Sequence, residues 1–280
     1  MENLKLKKDK PILIAIDATA GSGSTSLAQK LAQHYQLRYL DTGKVYRWCA
    51  LQIIKKKPKN KIKFLKKRIK SLNLKELQNK KLIDNKVAQV TSEISSDIRL
   101  RKLVFKYQRQ IAYNIPPGYR GSVLNGRDIT HNIVPDATFK FYVTASILKR
   151  SQRRYKELKK LGKKDTFKEI VKSLKKRDKS DKNRGKQSGK LLKTKDSILI
   201  NTTHLSITEC FLKVKKIIAI DKSIKKLGAP CEPPAPAEVQ NSDGSGFALL
   251  ESLYADIISS NFDNNLSLLI QRVEVGKRIY

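Results

Sequence analysis

The chain has 280 residues and a formal net charge of +35 at pH 7. This length allows one large or two small domains with a hydrophobic core, so folding needs neither a disulfide framework nor a structural metal. The three cysteines, Cys49, Cys210 and Cys231, show no Cys-x-x-Cys pair and no Cys/His spacing typical of zinc. They indicate a reducing, cytoplasmic compartment. No apolar run approaches the roughly 20 residues of a membrane helix, so we expect no membrane partner.

The positive charge is mostly lysine, which supplies 45 of the 60 Lys and Arg residues. It is concentrated in solvated runs such as residues 55–57 and 172–176. Lysine-rich usage of this kind is also typical of an AT-biased genome, so we do not expect nucleic acid to be the main partner. A positive surface would still attract anionic nucleotides in a salt-dependent way.

The first predicted unit is a strand, a loop and a helix. Residues 12–17 form a continuous apolar run, which predicts a strand buried on both faces. Helical spacing follows from residue 26 to about residue 35. The intervening loop approaches the phosphate-binding pattern G-x-x-x-x-G-K-[ST], whose backbone N–H groups surround phosphates at a helix N-terminus.

Two positions of this loop depart from the pattern. Gly23 and Thr25 fit it, whereas Ala18 replaces the first glycine and Ser24 replaces the lysine. Thr25 is the hydroxyl residue expected to hold magnesium that arrives with ATP. The lysine is worth roughly 2–4 kcal/mol of transition-state stabilisation, or about 10²- to 10³-fold in rate. The remaining loop could still bind phosphate, and Lys44 could supply charge from another direction.

The rest of the chain alternates strands and helices. The predicted strands after the first are residues 37–40, 122–124, 139–144 and 198–200. The predicted helices are residues 45–54, 92–112, 147–161, 167–177 and 207–218. Residues 55–82 predict a small inserted domain or a helical excursion. This alternation predicts an α/β fold with a mainly parallel sheet, whose ligands lie at the carboxyl ends of the strands near Asp17, Asp41 and Arg127.

An ordered set of short motifs follows the loop. The motifs are D-T-G-K-V-Y-R at 41–47, Ser92, R-L-R at 99–101, N-G-R-D at 125–128, P-D-A at 135–137, R-R-Y at 153–155, R-D-K-S-D-K-N-R at 177–184 and the run L-I-N-T-T-H-L-S-I at 199–207. Each motif is weak alone, but their order and spacing resemble the bacterial cytidylate kinases from about residue 11 to about residue 218.

The resemblance implies a P-loop kinase three-layer sandwich with a small inserted region that binds the nucleoside monophosphate and a helical lid. We expect the kinase domain over residues 1–220, with the insert at about 55–90 and the lid at about 150–190. A Pro/Gly-rich linker is expected over 221–246 and a helical tail of unknown role over 247–280. The implied protein is a monomer that acts on small nucleotides.

The implied activity is transfer of the ATP γ-phosphoryl group to CMP or dCMP with Mg²⁺. The implied catalytic residues are Arg127, Arg177 and Arg184. The implied ATP and phosphate ligands are Ala18, Thr19, Ala20, Gly21, Ser22, Gly23, Ser24, Thr25, Ser26 and Arg153. The implied CMP ligands are Thr42, Arg47, Ser92, Arg101, Asp128 and Asp181, with Arg109 as the alternative to Arg101.

Several alternatives stay open at this point. The family usually has Asp where this chain has Asn125, so an acidic role there is in doubt. Gly126-Arg127-Asp128 at a strand end could be an internal ion pair at a turn, and Arg153 with Arg154 a solvated face. For the whole protein, the alternatives are a catalytically weak nucleotide-binding pseudokinase and a basic RNA-binding protein on the same scaffold.

Overall fold

The computed structural model describes residues 11–185 and 189–226. The strands are β1 (Ile12–Ala18), β2 (Arg38–Asp41), β3 (Gly121–Gly126), β4 (Phe139–Thr144) and β5 (Ile198–Asn201). The helices are α1 (Ser24–Tyr35), α2 (Thr42–Lys56), α3 (Lys61–Arg68), α4 (Asn85–Ile94), α5 (Ile98–Tyr113), α6 (Ile147–Lys160), α7 (Phe167–Asn183) and α8 (Ile207–Lys226). The tail predicted over 247–280, and all but the first six residues of the predicted linker, lie outside the described residues.

The five strands form one sheet in the order β2-β3-β1-β4-β5, and every ladder within it is parallel. The α/β prediction is therefore confirmed. Strand β1 lies at the centre, as its apolar run predicts, and Ile14, Ala15 and Ile16 are fully buried. Because all strands run the same way, their carboxyl ends meet at one edge, where Asp17 lies opposite Gly126 and Tyr142.

The lysine-rich segment after α2 contains α3 and three short 3₁₀ helices, Ile69–Ser71, Leu74–Gln78 and Lys80–Ile83. Its apolar residues, among them Leu65, Leu72 and Leu82, are buried in the same cluster as Leu13 and Leu40 of the sheet. Its lysines remain at the surface. The segment therefore shares the core of the sheet instead of enclosing one of its own.

Three of the predicted helices differ most from the structure in their bounds. The stretch 92–112 is divided between α4 and α5, because the Asp97 carboxylate caps α5 by accepting a hydrogen bond from the Arg99 backbone N–H at 2.8 Å. Ile98, the first residue of α5, is 60% exposed. Helix α7 continues to Asn183 and α8 to Lys226, where the sequence predicted ends at residues 177 and 218.

The chain divides into two compact units, residues 1–213 and 214–280. Only 214–226 of the second unit, the end of α8, are described. No helix within 11–185 and 189–226 combines the length and hydropathy that crossing a bilayer requires.

A buried carboxylate joins the end of β1 to the turn after β3. Asp17 is completely buried. Its Oδ1 accepts from the Ile129 backbone N–H at 2.7 Å, and its Oδ2 accepts from the backbone N–H and the hydroxyl of Thr130 at 3.0 and 2.6 Å. The turn that it holds is π-helical and spans Ile129–Ile133. Burial raises the pKa of Asp17 from 3.8 to about 6 despite these three hydrogen bonds.

The raised pKa predicts a pH-dependent stability. Between pH 4 and pH 6 the folded protein binds a proton at Asp17 that the unfolded chain does not, so this contribution to stability is lost as pH rises through that window. The Asp17→Asn variant cannot titrate at this position. Relative to it, we expect the free energy of unfolding of the wild type to increase by about 1 to 1.5 kcal/mol when the pH is lowered from 7.5 to 5. Urea unfolding of both proteins at several pH values measures this difference. A difference that stays constant with pH would contradict the assignment.

Candidate active site

The phosphate-binding loop turns sharply between β1 and α1. Gly21 and Gly23 have φ angles of 78° and 87°, in the left-handed region that favours glycine. The Ser22 backbone N–H donates to the Thr19 carbonyl at 3.3 Å. Helix α1 starts at Ser24, two residues earlier than predicted. The loop therefore leads directly into the N-terminus of a 12-residue helix, whose free N–H groups and dipole favour an anion.

Two arginines of α6 donate hydrogen bonds to carbonyl oxygens of this loop. Arg150 is buried and donates to the Ala20 carbonyl at 3.1 Å and to both oxygens of Asp178 at 3.1 and 2.6 Å. Arg153 donates to the Ser22 carbonyl at 3.1 Å and to the hydroxyl and carbonyl oxygens of Thr202 at 2.9 and 2.7 Å. The pair therefore fixes the loop to α7 and to the segment after β5.

These contacts concern two expectations about Arg153: that it binds the ATP phosphates, and that it lies on a solvated face. Arg153 was predicted to bind the ATP phosphates, but its guanidinium group donates to backbone and hydroxyl oxygens, and burial lowers its pKa. It is not a solvated face either. Arg150 was missed by the sequence analysis. The available signal was its position one helical turn before Arg153, which puts both guanidinium groups on one face of α6.

The first residue of α1 is Ser24, a small hydroxyl residue at the position where the phosphate-binding pattern has lysine. Ser24 is only 7% exposed. Next to it, the Thr25 hydroxyl oxygen accepts from the Asn125 amide at 3.2 Å. The Asn125 Oδ1 atom is buried and accepts no hydrogen bond from the residues that the structure describes. The hydroxyl of Thr25 and this unpaired amide oxygen fit a hard cation such as Mg²⁺, which prefers oxygen ligands.

Three arginines surround one buried carboxylate, and a fourth, Arg47, lies close enough to act on their charge. Asp181, 3% exposed, accepts from Arg127 Nε at 2.7 Å. Arg177 and Arg184 lie 3.9 and 3.7 Å from its two oxygens. The charge of Arg127 and then burial lower the pKa of Arg177 to about 10, and the charges of Arg47 and Arg184 contribute in the same direction. With one carboxylate among four guanidinium groups, this cluster has an excess of positive charge that suits an anion.

The helix predicted over 167–177 would end before Asp181 and Arg184. The structure instead brings Asp181 into the last turn of α7, because that helix continues to Asn183. Arg177 then lies one turn before the carboxylate on the same helix face, which helical periodicity requires. Arg47 comes from α2, where it donates to the Leu82 carbonyl at 2.8 Å, and its pKa is lowered by burial and by the charge of Arg154.

A second buried pair lies beside this cluster. Arg101 Nη2 donates to Asp128 Oδ2 at 2.9 Å, and both side chains are about 10% exposed. The Tyr46 ring lies against the Arg101 guanidinium group, with 5.5 Å from the ring centroid to Cζ. Arg109, the alternative predicted from sequence, donates instead to the Ile133 carbonyl at 2.6 Å. The geometry therefore selects Arg101 over Arg109 as the partner of Asp128.

The adjacent residues Arg127 and Asp128 do not pair with each other. Arg127 pairs with Asp181 and Asp128 with Arg101, so each residue of this motif forms an internal ion pair at the turn with a different partner. Both pairs join elements distant in sequence. Asp128 also accepts from the Asn132 amide at 3.2 Å, a contact that sequence reasoning missed.

The two remaining predicted ligands differ in their surroundings. Thr42 is buried, and its hydroxyl donates to the Asn125 carbonyl at 3.0 Å, which brings it to the edge of the sheet. Ser92 is exposed in α4, and its hydroxyl donates to the Ala88 carbonyl of its own helix at 3.1 Å. The Ser92 hydroxyl therefore bonds to its own helix and, among the described residues, to none of the other predicted ligands.

Comparison with known proteins matches most of the described chain to one family. The family model described as "Cytidylate kinase" matches residues 14–220 of the chain. A cytidylate kinase of Bartonella tribocorum is 36% identical over 207 residues, which cover 72% of this chain and 92% of that protein. One of Brucella ovis is 35% identical over 209 residues, with coverages of 74% and 93%. One of Thermosipho melanesiensis is 36% identical over 219 residues, with coverages of 74% and 97%.

The support of the phosphate-binding loop by Arg150 is testable. The Arg150→Met variant keeps the aliphatic stem but leaves Asp178 and the Ala20 carbonyl without their donor. We expect it to lose about 2 to 4 kcal/mol of unfolding free energy, because one partner of a largely buried pair then stands alone. The exposed Lys156→Met variant on the same helix is the control and should change stability by less than about 0.5 kcal/mol. Equal unfolding midpoints in denaturant for the two variants would contradict this role.

Proposed function

This chain belongs to the cytidylate kinase family, and we propose that it transfers the γ-phosphoryl group of ATP to CMP or dCMP, giving ADP and CDP or dCDP. The observation that carries the proposal is the pairing of Arg101 with Asp128, together with the nearby cluster of arginines and the phosphate-binding loop. These parts offer, in order, a site for a base, a monophosphate and a triphosphate.

Base recognition follows from the hydrogen-bonding groups of the buried pair. Asp128 is an acceptor, and it suits the exocyclic amine of cytosine. Arg101 is a donor, and it suits the ring nitrogen and carbonyl of the same base. Uracil presents a carbonyl where cytosine has its amine, so it would bring an acceptor against a carboxylate and leave a buried charge without a donor. Thr42 and Ser92 are proposed to complete this pocket.

The acceptor phosphate is proposed to bind the arginine cluster. Arg127 is held by Asp181 at 2.7 Å without ligand, and a phosphate would compete for the same guanidinium group as a bidentate acceptor. Asp181 would then be available to the sugar hydroxyls. Arg47 and Arg184 complete the binding of the monophosphate. Arg177, with a pKa of about 10, remains protonated at neutral pH and can stabilise the charge of the moving phosphoryl group.

Phosphoryl transfer depends on positioning and charge neutralisation more than on covalent chemistry. The backbone of residues 18–26 and the N-terminus of α1 are proposed to bind the ATP phosphates. Magnesium bound with ATP supplies neutralising charge on the phosphate oxygens, and Thr25 with Asn125 would hold it. Arg150 and Arg153 keep the loop rigid, so that its N–H groups need no rearrangement when the phosphates arrive.

We propose further that the protein acts in the cytoplasm as a monomer with residues 1–220 as its kinase domain. The catalytically weak pseudokinase remains the outcome to test against, because Ser24 stands where the family has lysine. The RNA-binding alternative is supported by no specific contact in the described residues.

The proposed reaction is tested by measuring ADP release from ATP and Mg²⁺ with each nucleoside monophosphate in turn. We expect turnover with CMP or dCMP to exceed turnover with UMP and AMP, because only cytosine satisfies both Asp128 and Arg101. Heat-denatured protein is the control for contaminating activity. Equal turnover with all four acceptors would contradict the base-recognition site. CMP-dependent thermal stabilisation without turnover would identify the protein as a nucleotide-binding pseudokinase.

Restoring the missing cation should accelerate the reaction. In the Ser24→Lys variant the ammonium group can reach the β- and γ-phosphates, and we expect kcat with CMP to rise by about 10- to 100-fold. The Gln29→Lys variant adds the same charge on the exposed face of α1 and should leave kcat unchanged. An unchanged kcat for a correctly folded Ser24→Lys protein would mean that other cations already supply this charge.

A further inference from the structure

We propose that Asn132 is a specificity-determining positioning residue of this site. It holds the Asp128 carboxylate in the orientation that presents one oxygen to the exocyclic amine of cytosine. The inference rests on the proposed function and deepens it, because it concerns how the same site distinguishes cytosine from uracil. Asn132 lies four residues after Asp128.

The contact that carries this inference is on one oxygen of Asp128. Oδ2 accepts from Arg101 Nη2 at 2.9 Å and from Asn132 Nδ2 at 3.2 Å. Oδ1 accepts no hydrogen bond from the residues that the structure describes, and it is not among their fully buried, unpaired side-chain atoms. The carboxylate therefore has one oxygen held by two donors and one oxygen available to a ligand.

Two donors on the same oxygen restrict rotation of the carboxylate. The terminal torsion of an Asp side chain has a broad, roughly two-fold energy profile, so a single donor leaves its plane poorly defined. Arg101 is itself held, because it donates to the Ser95 carbonyl at 3.3 Å and lies against the Tyr46 ring. Asn132 approaches from a different element, the turn after β3, and the two donors together define the plane.

The backbone brings Asn132 to this position through the π-helical turn. In that turn the Ile133 N–H donates to the Asp128 carbonyl at 3.2 Å, and the Val134 N–H donates to the Ile129 carbonyl at 2.9 Å, both across five residues. Asp17 fixes the start of the turn by accepting from Ile129 and Thr130. Turns of this kind occur mostly at functional sites. Here the turn carries the Asn132 amide to the Asp128 carboxylate.

The chemistry of Asn132 matters as well as its position. A neutral amide donates a hydrogen bond without adding a second positive charge, so the Arg101–Asp128 pair remains balanced and Asp128 remains an acceptor. An acceptor in this orientation attracts the amine of cytosine and repels the carbonyl of uracil. A carboxylate free to rotate would turn its lone pairs away from uracil and discriminate less.

The test is equilibrium binding of CMP and of UMP, measured by calorimetry without ATP, together with steady-state kinetics. In the Asn132→Leu variant, similar in size but without a donor, we expect the Kd for CMP to rise about 5- to 20-fold and the Kd for UMP to change less than twofold. In kinetics the loss should appear in KM for CMP more than in kcat. The Asn132→Gln variant, which retains the amide, should recover part of the CMP affinity.

Three controls separate this role from a structural one. Asn60→Leu removes a hydrogen bond from an exposed helix cap, 2.9 Å long, and should leave the CMP to UMP ratio unchanged. Asn132→Asp should raise the Kd for CMP at least as much as Leu, because two carboxylates then face each other. Asn132→Ser, shorter and polar, replaces Leu if that variant does not fold, and the same loss of CMP preference is expected.

The outcomes distinguish the two proposals. If the wild type binds CMP no better than UMP, the proposed function fails and this inference fails with it. If the wild type prefers CMP and both Asn132→Leu and Asn132→Ser keep that preference, the proposed function stands and the role of Asn132 is overturned. A loss of affinity that is equal for CMP and UMP would also overturn it, since it would indicate general destabilisation.

Discussion

The buried carboxylate of Asp17 is the contact on which the rest of the site depends. The parallel ladder puts Asp17 beside the end of β3, and its hydrogen bonds fix Ile129 and Thr130 in the turn that follows. Arg127 and Asp128 lie between β3 and this turn, so the turn helps to fix their backbone positions. The burial of a carboxylate is costly, as the raised pKa of Asp17 shows, and the sheet provides the stability that tolerates it.

The chain is strongly positive, and the site contains three buried ion pairs between arginine and aspartate. Arg101 with Asp128, Arg127 with Asp181 and Arg150 with Asp178 are each joined by a hydrogen bond of 2.9 Å or less. Buried ion pairs of this kind contribute little net stability but impose a specific geometry. The Arg150–Asp178 pair supports the loop, and we propose the other two pairs for binding the base and the acceptor phosphate.

The phosphate-binding loop lacks the lysine of the pattern, and the contacts around it show how its backbone is held. Ser24 stands where the phosphate-binding pattern has lysine, and it is buried next to Thr25, whose hydroxyl accepts from the Asn125 amide. The loop itself stays anchored by Arg150 and Arg153 through the carbonyls of Ala20 and Ser22. The site therefore keeps the backbone geometry of a phosphate-binding loop while its electrostatic strength is reduced.

The sequence by itself determined the family, the alternating strands and helices and the residue types of the site, because periodicity and motif order are local properties of the chain. It misjudged helix ends, since Asp97 divides the stretch 92–112 and α7 continues through Asp181. Only the tertiary structure decided that Asp128 pairs with Arg101 and not with Arg109 or Arg127, that Arg153 binds backbone, and that Asn132 reaches Asp128. These contacts join elements distant along the chain, and their geometry is set by sheet register and helix packing, which no local pattern encodes.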